Sequence, residues 1–166
     1  MMAYGKNQRL RFKRRRNGET DYRRRMKMLR GGFARAVVRV TNTQTICQLV
    51  NYEPTGDIVK ISIDGHTIVE KYGWPIDASR KSIPASYISG YAMAKTAIAA
   101  GHKEAVLDIG LAASTPGNRV FAALKGMVDA GMEIPYGENV LPDDDRINGS
   151  HIDAVSYTHL TLPTKA

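Results

Sequence analysis

The apolar positions change period along the chain, and each change marks an element. Residues 1–18 carry almost no apolar periodicity and read as an extended arm, disordered when unbound. From Thr20 a short helix is predicted. Thr20 or Asp21 supplies an N-cap, Glu19 and Asp21 suit the positive end of the helix dipole, and Gly31-Gly32 ends it. Tyr22, Met26 and Leu29 fall at i, i+4 and i+7, a narrow stripe expected to dock the helix on the rest of the protein. Then the pattern becomes β-type. "ARAVVRV" (34–40), "TICQLVNY" (45–52) and "DIVKISID" (57–64) are rich in Val, Ile and Thr, and Val59, Ile61 and Ile63 alternate with Ile58, Lys60 and Ser62. Thr41-Asn42-Thr43 and Pro54-Thr55-Gly56 supply turns, so an antiparallel meander is predicted. "HTIVEKY" after the Asp64-Gly65 turn is expected to add a further strand.

Helical spacing returns over residues 79–102, with Pro84 in the first turn, Gly101 after the last, and Tyr87, Tyr91, Ala94 and Ile98 on one face. The many Ala residues and Gly90 suit close packing against a sheet. "EAVLDIG" reads as a short buried strand and "NRVFAALKGMVDAG" as a second helix, with Val120, Leu124, Met127 and Val128 inward. "MEIPYG" returns to extended chain, and "LPDDDRINGSHI" starts a last helix with a charged first turn after Pro142. This order predicts an α/β fold, a mixed sheet with helices packed on it in a two-layer sandwich, preceded by a basic N-terminal arm. The expected division is an arm over residues 1–32, an α/β domain over 33–154, and an unmatched tail over 155–166.

Charge sharpens the picture. The formal net charge of the 166 residues is +8, yet residues 1–39 alone hold 14 Lys and Arg against 2 acids, leaving the rest of the chain slightly acidic. A concentrated cationic segment on a mildly acidic domain points to a polyanion, with nucleic acid the default. Arg9, Arg11, Lys13, Arg14, Arg15 and Arg16 lie on the arm, Arg23, Arg24, Arg25, Lys27 and Arg30 around the short helix, and Arg35 just beyond it. Arginine dominates, and its planar fork suits phosphates and stacking on bases. Tyr4, Phe12 and Tyr22 are candidate stacking partners, with Tyr22 also the anchor of the helix. The single cysteine, Cys47, lies in an apolar stretch and reads as a buried small hydrophobe in a reducing compartment. No apolar run is long enough for a membrane span.

The main competing chemistry is metal-dependent cleavage of RNA. Asp57, Asp64, Glu70 and Asp108 lie near strand ends, where paired carboxylates can hold two metal ions. Asp57 and Asp64 sit in turn chemistry, however, and Asp108 inside an apolar strand reads as a buried, hydrogen-bonded structural carboxylate. His66, His102, His151 and His159 lack metal-ligand spacing, so no metal and no cofactor are expected. "GLAASTPGNR" lacks the Gly-Lys-Ser/Thr ending of a P-loop, though as a loop opening a helix beside Arg119 it can hold a phosphate.

Several stretches taken together, "RRRNGETDYRRRMKML", "YGW", "EAVLDIGL", "RVFAALKGMVDAG", "EIP" and "VLPDDDRINGSHI", resemble in content and order the L18 family of ribosomal proteins, in its archaeal and eukaryotic-type branch. The resemblance covers about residues 5–154. It implies a non-catalytic, structural protein of the large subunit of the cytoplasmic ribosome. On this reading it sits at the central protuberance, bound to 5S rRNA, touching the large rRNA and neighbouring ribosomal proteins, with no membrane partner. The family's RNA-binding arm matches Arg11, Arg14, Arg15, Arg16, Thr20, Asp21, Tyr22, Arg23 and Arg25. The start of its first hairpin matches Arg39 and Asn42, and its loop before the second long helix matches Gly117 and Arg119. Thr43 and Gln44 stand where that branch often has a basic residue and a His, and "RGGFAR" replaces a more usual Gly-basic-Pro-Arg linker. After Ala154, "VSYTHLTLPTKA" matches nothing in the family and is assigned no role.

Overall fold

The structure, a computed structural model, describes Gly5, Asn7 and residues 9–150. Tyr4, His151, His159 and the tail over 155–166 lie outside the described residues. The elements in chain order are α1 (Lys13–Arg16), α2 (Tyr22–Leu29), β1 (Arg35–Val40), β2 (Thr45–Asn51), β3 (Ile58–Ile63), α3 (Gly65–Tyr72), α4 (Ile83–Ala99), β4 (Val106–Asp108), α5 (Arg119–Asp129) and α6 (Asp144–Asn148).

The four strands form one mixed sheet in the order β3-β2-β1-β4. β1–β2 and β2–β3 pair antiparallel, as the meander requires, while β4 joins β1 in parallel. Alternation sorts the side chains onto two faces. Ala36, Val38, Cys47, Leu49 and Ile63 point into the core with Met93, Leu124 and Met127 of the covering helices. Cys47 is fully buried, and burial pushes its thiol up to about 12. Arg35, Val37 and Arg39 of β1 and Asp108 of β4 belong to the opposite face. A register shift between Leu49 and Val50 breaks the predicted alternation of β3. Ile63 keeps the core side, but Val59 is 49% exposed.

α4 and α5 cover the core face. Ser82 caps α4 by accepting from the Ala85 N–H, and Asn118 caps α5 by accepting from the Val120 N–H. Their mutual approach depends on two absent side chains. A Cβ on Gly90 would lie 2.1 Å from the Ala123 carbonyl oxygen, and one on Gly126 would lie 2.2 Å from that of Tyr87. Gly90 therefore serves helix-to-helix contact rather than the helix-to-sheet contact predicted for it. The same approach turns Tyr91 outward while Ala92, Met93, Ala94 and Ala97 are buried, so the predicted Tyr87–Tyr91–Ala94–Ile98 face is rotated.

Two local expectations are corrected. "HTIVEKY" is helix α3, not a strand. The Asp64 carboxylate accepts from the Thr67 N–H at 2.9 Å and its hydroxyl at 2.8 Å, and this cap with Ile68 buried beneath outweighs the β propensity of Thr, Ile and Val. The first arginine triplet is not extended but carried on the single turn α1. There Arg16 N–H donates to the Phe12 carbonyl and Asn17 N–H to that of Lys13, with the Phe12 ring 5.4 Å from that of Tyr22. Among the described residues, no helix is long and apolar enough to cross a membrane.

Candidate nucleic-acid interface

The interface starts with the acids inside the cationic run. Asp21 is the N-cap of α2, accepting from the N–H groups of Arg23 (3.0 Å) and Arg24 (3.1 Å). The hydrogen bond from Arg24 leads the effects that hold its carboxyl below the usual range. Thr20 does a different task from the capping considered for it. Its hydroxyl accepts from Arg14 Nε at 2.9 Å, and Glu19 stands 3.7 Å from the same guanidinium. Glu19 also accepts from Asn17 Nδ2 at 2.9 Å. Thr20 and Glu19 thus tie Arg14 of α1 to the segment that leads into α2, while Asp21 starts α2 itself.

α2 then lies against the second face of the sheet. Two members of the predicted stripe, Tyr22 and Leu29, are on the docked side, but Met26 is 55% exposed. Tyr22, Arg25, Met28 and Leu29 are the half-buried positions. The contact combines these apolar groups with ionic ones. Arg25 Nη2 donates to both carboxylate oxygens of Asp57 at 2.7 and 2.9 Å, and Arg24 Nη1 donates to the Gly110 carbonyl at 2.9 Å. Behind Arg25 the network continues inward. Arg35 spans Asp57 (2.6 Å) and Asp108 (2.8 Å), and Asp108 also accepts from Arg39 Nη2 at 3.0 Å and the Gly110 N–H at 2.9 Å. Arg39 Nη1 donates to the Asp108 carbonyl at 2.6 Å. Gly110 has φ +63°, and a Cβ there would sit 2.8 Å from the Arg39 guanidinium carbon, so only glycine leaves room for it.

Three guanidinium groups thus surround two carboxylates. The hydrogen bond from Arg25 is the largest effect lowering the Asp57 carboxyl below its usual range, aided by Arg35. For Asp108 burial is the largest effect and raises it. Arg39, the Gly110 N–H and Arg35 together outweigh burial and leave the carboxyl below its usual range.

The candidate contact residues therefore divide. Arg9, Arg11, Lys13, Arg15, Arg16, Arg23, Lys27 and Arg30 are exposed and have no side-chain hydrogen bond or ion pair among the described residues. Arg14, Arg24, Arg25 and Arg39 carry charge at the rim while held by internal partners. Arg35 is corrected. It is 3% exposed with both terminal nitrogens engaged by acids, so it belongs to the frame behind the surface. Tyr22 lies against Phe12 rather than standing free. Asn42 is exposed on a hairpin turn closed by Thr41, whose hydroxyl donates to the Gln44 carbonyl at 2.9 Å. Gly117 precedes the Asn118 cap, and Arg119 is exposed at the first turn of α5.

Between arm and sheet lies a cleft of about 930 Å³, lined by Arg14, Arg24, Arg25, Arg35 and Arg39, by Glu19, Asp21, Glu53, Asp57 and Asp108, and in part by Val37, Val50 and Val59. Arginines and carboxylates balance in this lining, so the cleft offers arginine donors beside an apolar patch that suits the face of a base, while the unpaired positive charge lies on the exposed arm. Of the four carboxylates proposed for metal binding, Asp64 is engaged in a cap and Asp57 and Asp108 by arginines, while Glu70 is exposed on α3. No group of three His, Cys, Asp or Glu among the described residues is placed to hold a metal ion.

Residues 6–103 and 99–137 match the family model described as "Ribosomal large subunit proteins 60S L5, and 50S L18". The chain belongs to this family. It is 48% identical over 151 residues to the large ribosomal subunit protein uL18 of Methanoculleus marisnigri, covering 91% of this chain and 85% of that protein. It is 48% identical to uL18 of Methanobrevibacter smithii, over 91% of this chain and 77% of that protein, and 40% identical to uL18 of Sulfurisphaera tokodaii, over 91% and 76%. The resemblance read from the motifs, to the archaeal type of L18, is thereby shown.

Proposed function

We propose that this L18-family chain is a structural component of the large ribosomal subunit that binds 5S rRNA. In that place it helps attach 5S rRNA to the large rRNA at the central protuberance, beside neighbouring ribosomal proteins and without catalysis. The observation that carries the reading is the pairing of eight outward-facing cations on residues 9–30 with an ionic network that fixes their geometry from behind. The surface arginines position the backbone of a folded RNA, and the cleft gives room for an unstacked base. The nuclease alternative has no arrangement of groups in its favour.

We place the grip in residues 1–32 and the α/β domain in residues 33–154. The test compares binding of the full chain to 5S rRNA and to an unrelated structured RNA of equal length, then repeats it with residues 1–30 removed. The full chain is expected to prefer 5S rRNA, with affinity falling with salt at a slope of about −0.7 to −0.9 per phosphate contacted. The shortened protein should keep one cooperative unfolding transition while its affinity collapses. Near-native affinity without the arm would refute this assignment.

A further inference from the structure

The direction of the strands brings together basic residues that lie far apart in sequence. β4 runs parallel to β1, and two antiparallel pairings make β3 parallel to β1 as well. The carboxyl ends of β1, β3 and β4 therefore share one edge of the domain. The arm meets that edge, since Arg24 of α2 donates to Gly110, just beyond β4. With neighbouring strands about 4.8 Å apart, the end of β3 lies roughly 14 Å across the sheet from the end of β4, a span of two to three nucleotides.

On the β3 side of this edge three segments close on one another. A Cβ on Gly65, the first residue of α3, would lie 2.7 Å from Gln44 of the β1–β2 turn and 3.0 Å from the Arg80 Cβ. The Thr45 N–H donates to the Arg80 carbonyl at 3.1 Å, which ties the segment before α4 to the start of β2. The Arg80 guanidinium is thus held at the edge and stands 3.2 Å from the His66 ring nitrogen Nδ1. Lys81 beside it is exposed. Neither Arg80 nor Lys81 forms an ion pair among the described residues, whereas Arg25, Arg35 and Arg39 all do. Asp64, the cap of α3, is committed to Thr67, and the exposed Glu70 and Asp77 form no ion pair with Arg80 or Lys81 among the described residues.

We infer that Arg80 and Lys81 form a second contact with the RNA backbone, on the far side of the β1–β2 turn from the arm, so that one RNA strand is held across the carboxyl edge of the sheet. The inference rests on the RNA-binding reading above and adds residues that the basic N-terminal segment does not contain. The occupant is a polyanion because the two cations form no ion pair among the described residues and stand at the same carboxyl edge of the sheet that the basic arm meets at Gly110.

The test uses the full chain and 5S rRNA, with Lys81→Gln, Arg80→Gln, Arg80→Lys and a remote control, Lys95→Gln. Lys95 lies over the Tyr91 ring, 13 residues along α4 from Ser82 and so about 20 Å from the edge. Lys81→Gln and Arg80→Gln should each weaken binding about threefold to tenfold and make the salt slope shallower by roughly 0.7–0.9. Arg80→Lys should restore the slope, and Lys95→Gln should change neither quantity. Lys81 has no internal partner among the described residues, so its substitution reads binding without disturbing the fold. If the wild type binds 5S rRNA selectively and the Lys81 and Arg80 variants keep its slope, the second contact is wrong while the functional reading stands. If the wild type shows no preference for 5S rRNA, both fall together.

Discussion

Asp57→Asn separates geometry from charge at this interface. Asp57 accepts twice from Arg25 and once from Arg35, so the substitution weakens two contacts of different depth. The Arg25 pair is partly exposed, 29% on each side, and pairs of that kind contribute about 0.2–1 kcal/mol. The Arg35 pair is deeper, with Arg35 at 4% side-chain exposure. Removing the partner of a buried charge costs about 3–5 kcal/mol, but Asp108 still holds the other arm of Arg35, so roughly half of that is expected. Together these give about 2–3 kcal/mol, or roughly 5–10 °C in thermal midpoint for a chain of this size. Arg25→Ala breaks only the outer pair and should lower the midpoint by about 1–4 °C. The two variants move net charge in opposite directions, yet both should weaken 5S rRNA binding. α2 has eight residues, too few to persist in water without its dock. Thermal unfolding by circular dichroism and equilibrium RNA binding read the two effects. Tighter binding by Asp57→Asn, or a midpoint within 1 °C of wild type, would refute the argument that the network aims the arm.

Three further outcomes follow from the same geometry. Asp57 and Asp108 both titrate below their usual range when folded, so their contribution is complete above about pH 4 and is lost as pH falls through their folded-state values. The thermal midpoint should decline below pH 4, and less steeply in Asp57→Asn. Thr20→Ala with Asp21→Ala removes the cap of α2 and the Arg14 acceptor, so helical circular dichroism and RNA affinity should both fall although net positive charge rises; a gain in affinity would show that charge alone explains the arm. Gly90→Ala pushes a methyl into the Ala123 carbonyl and should cost about 3 kcal/mol or more, seen as a large loss of thermal midpoint; an unchanged midpoint would mean α4 and α5 separate easily.

Much of this protein was legible in its sequence because the signals are local. Val, Ile and Thr enrichment placed β1, β2 and β3, and Pro84, Gly101 and the helical spacing of apolar residues located both long helices within a few residues. The charge asymmetry pointed to a polyanion, and the acids at 19–21 marked the start of a helix. Family motifs in register fixed the kinship.

Most of what failed depended on a distant partner. α3 is the exception, since its Asp64 cap on Thr67 is local but was masked by the β propensity of Thr, Ile and Val. Val59 leaves the core because a bulge in the β2–β3 pairing shifts its face. Arg25 replaces Met26 on the docked side of α2 because it finds Asp57, thirty-two residues on, and a helical wheel counts arginine as solvent-facing. Arg35 and Arg39 read as RNA contacts beyond the arm, yet the parallel pairing of β1 with β4 sets Asp108 against them across some seventy residues. Sequence determined how much charge the chain carries and where it starts. Only the register of the sheet decided which arginines are neutralised within and which face outward, because charge belongs to a residue but compensation belongs to a pair.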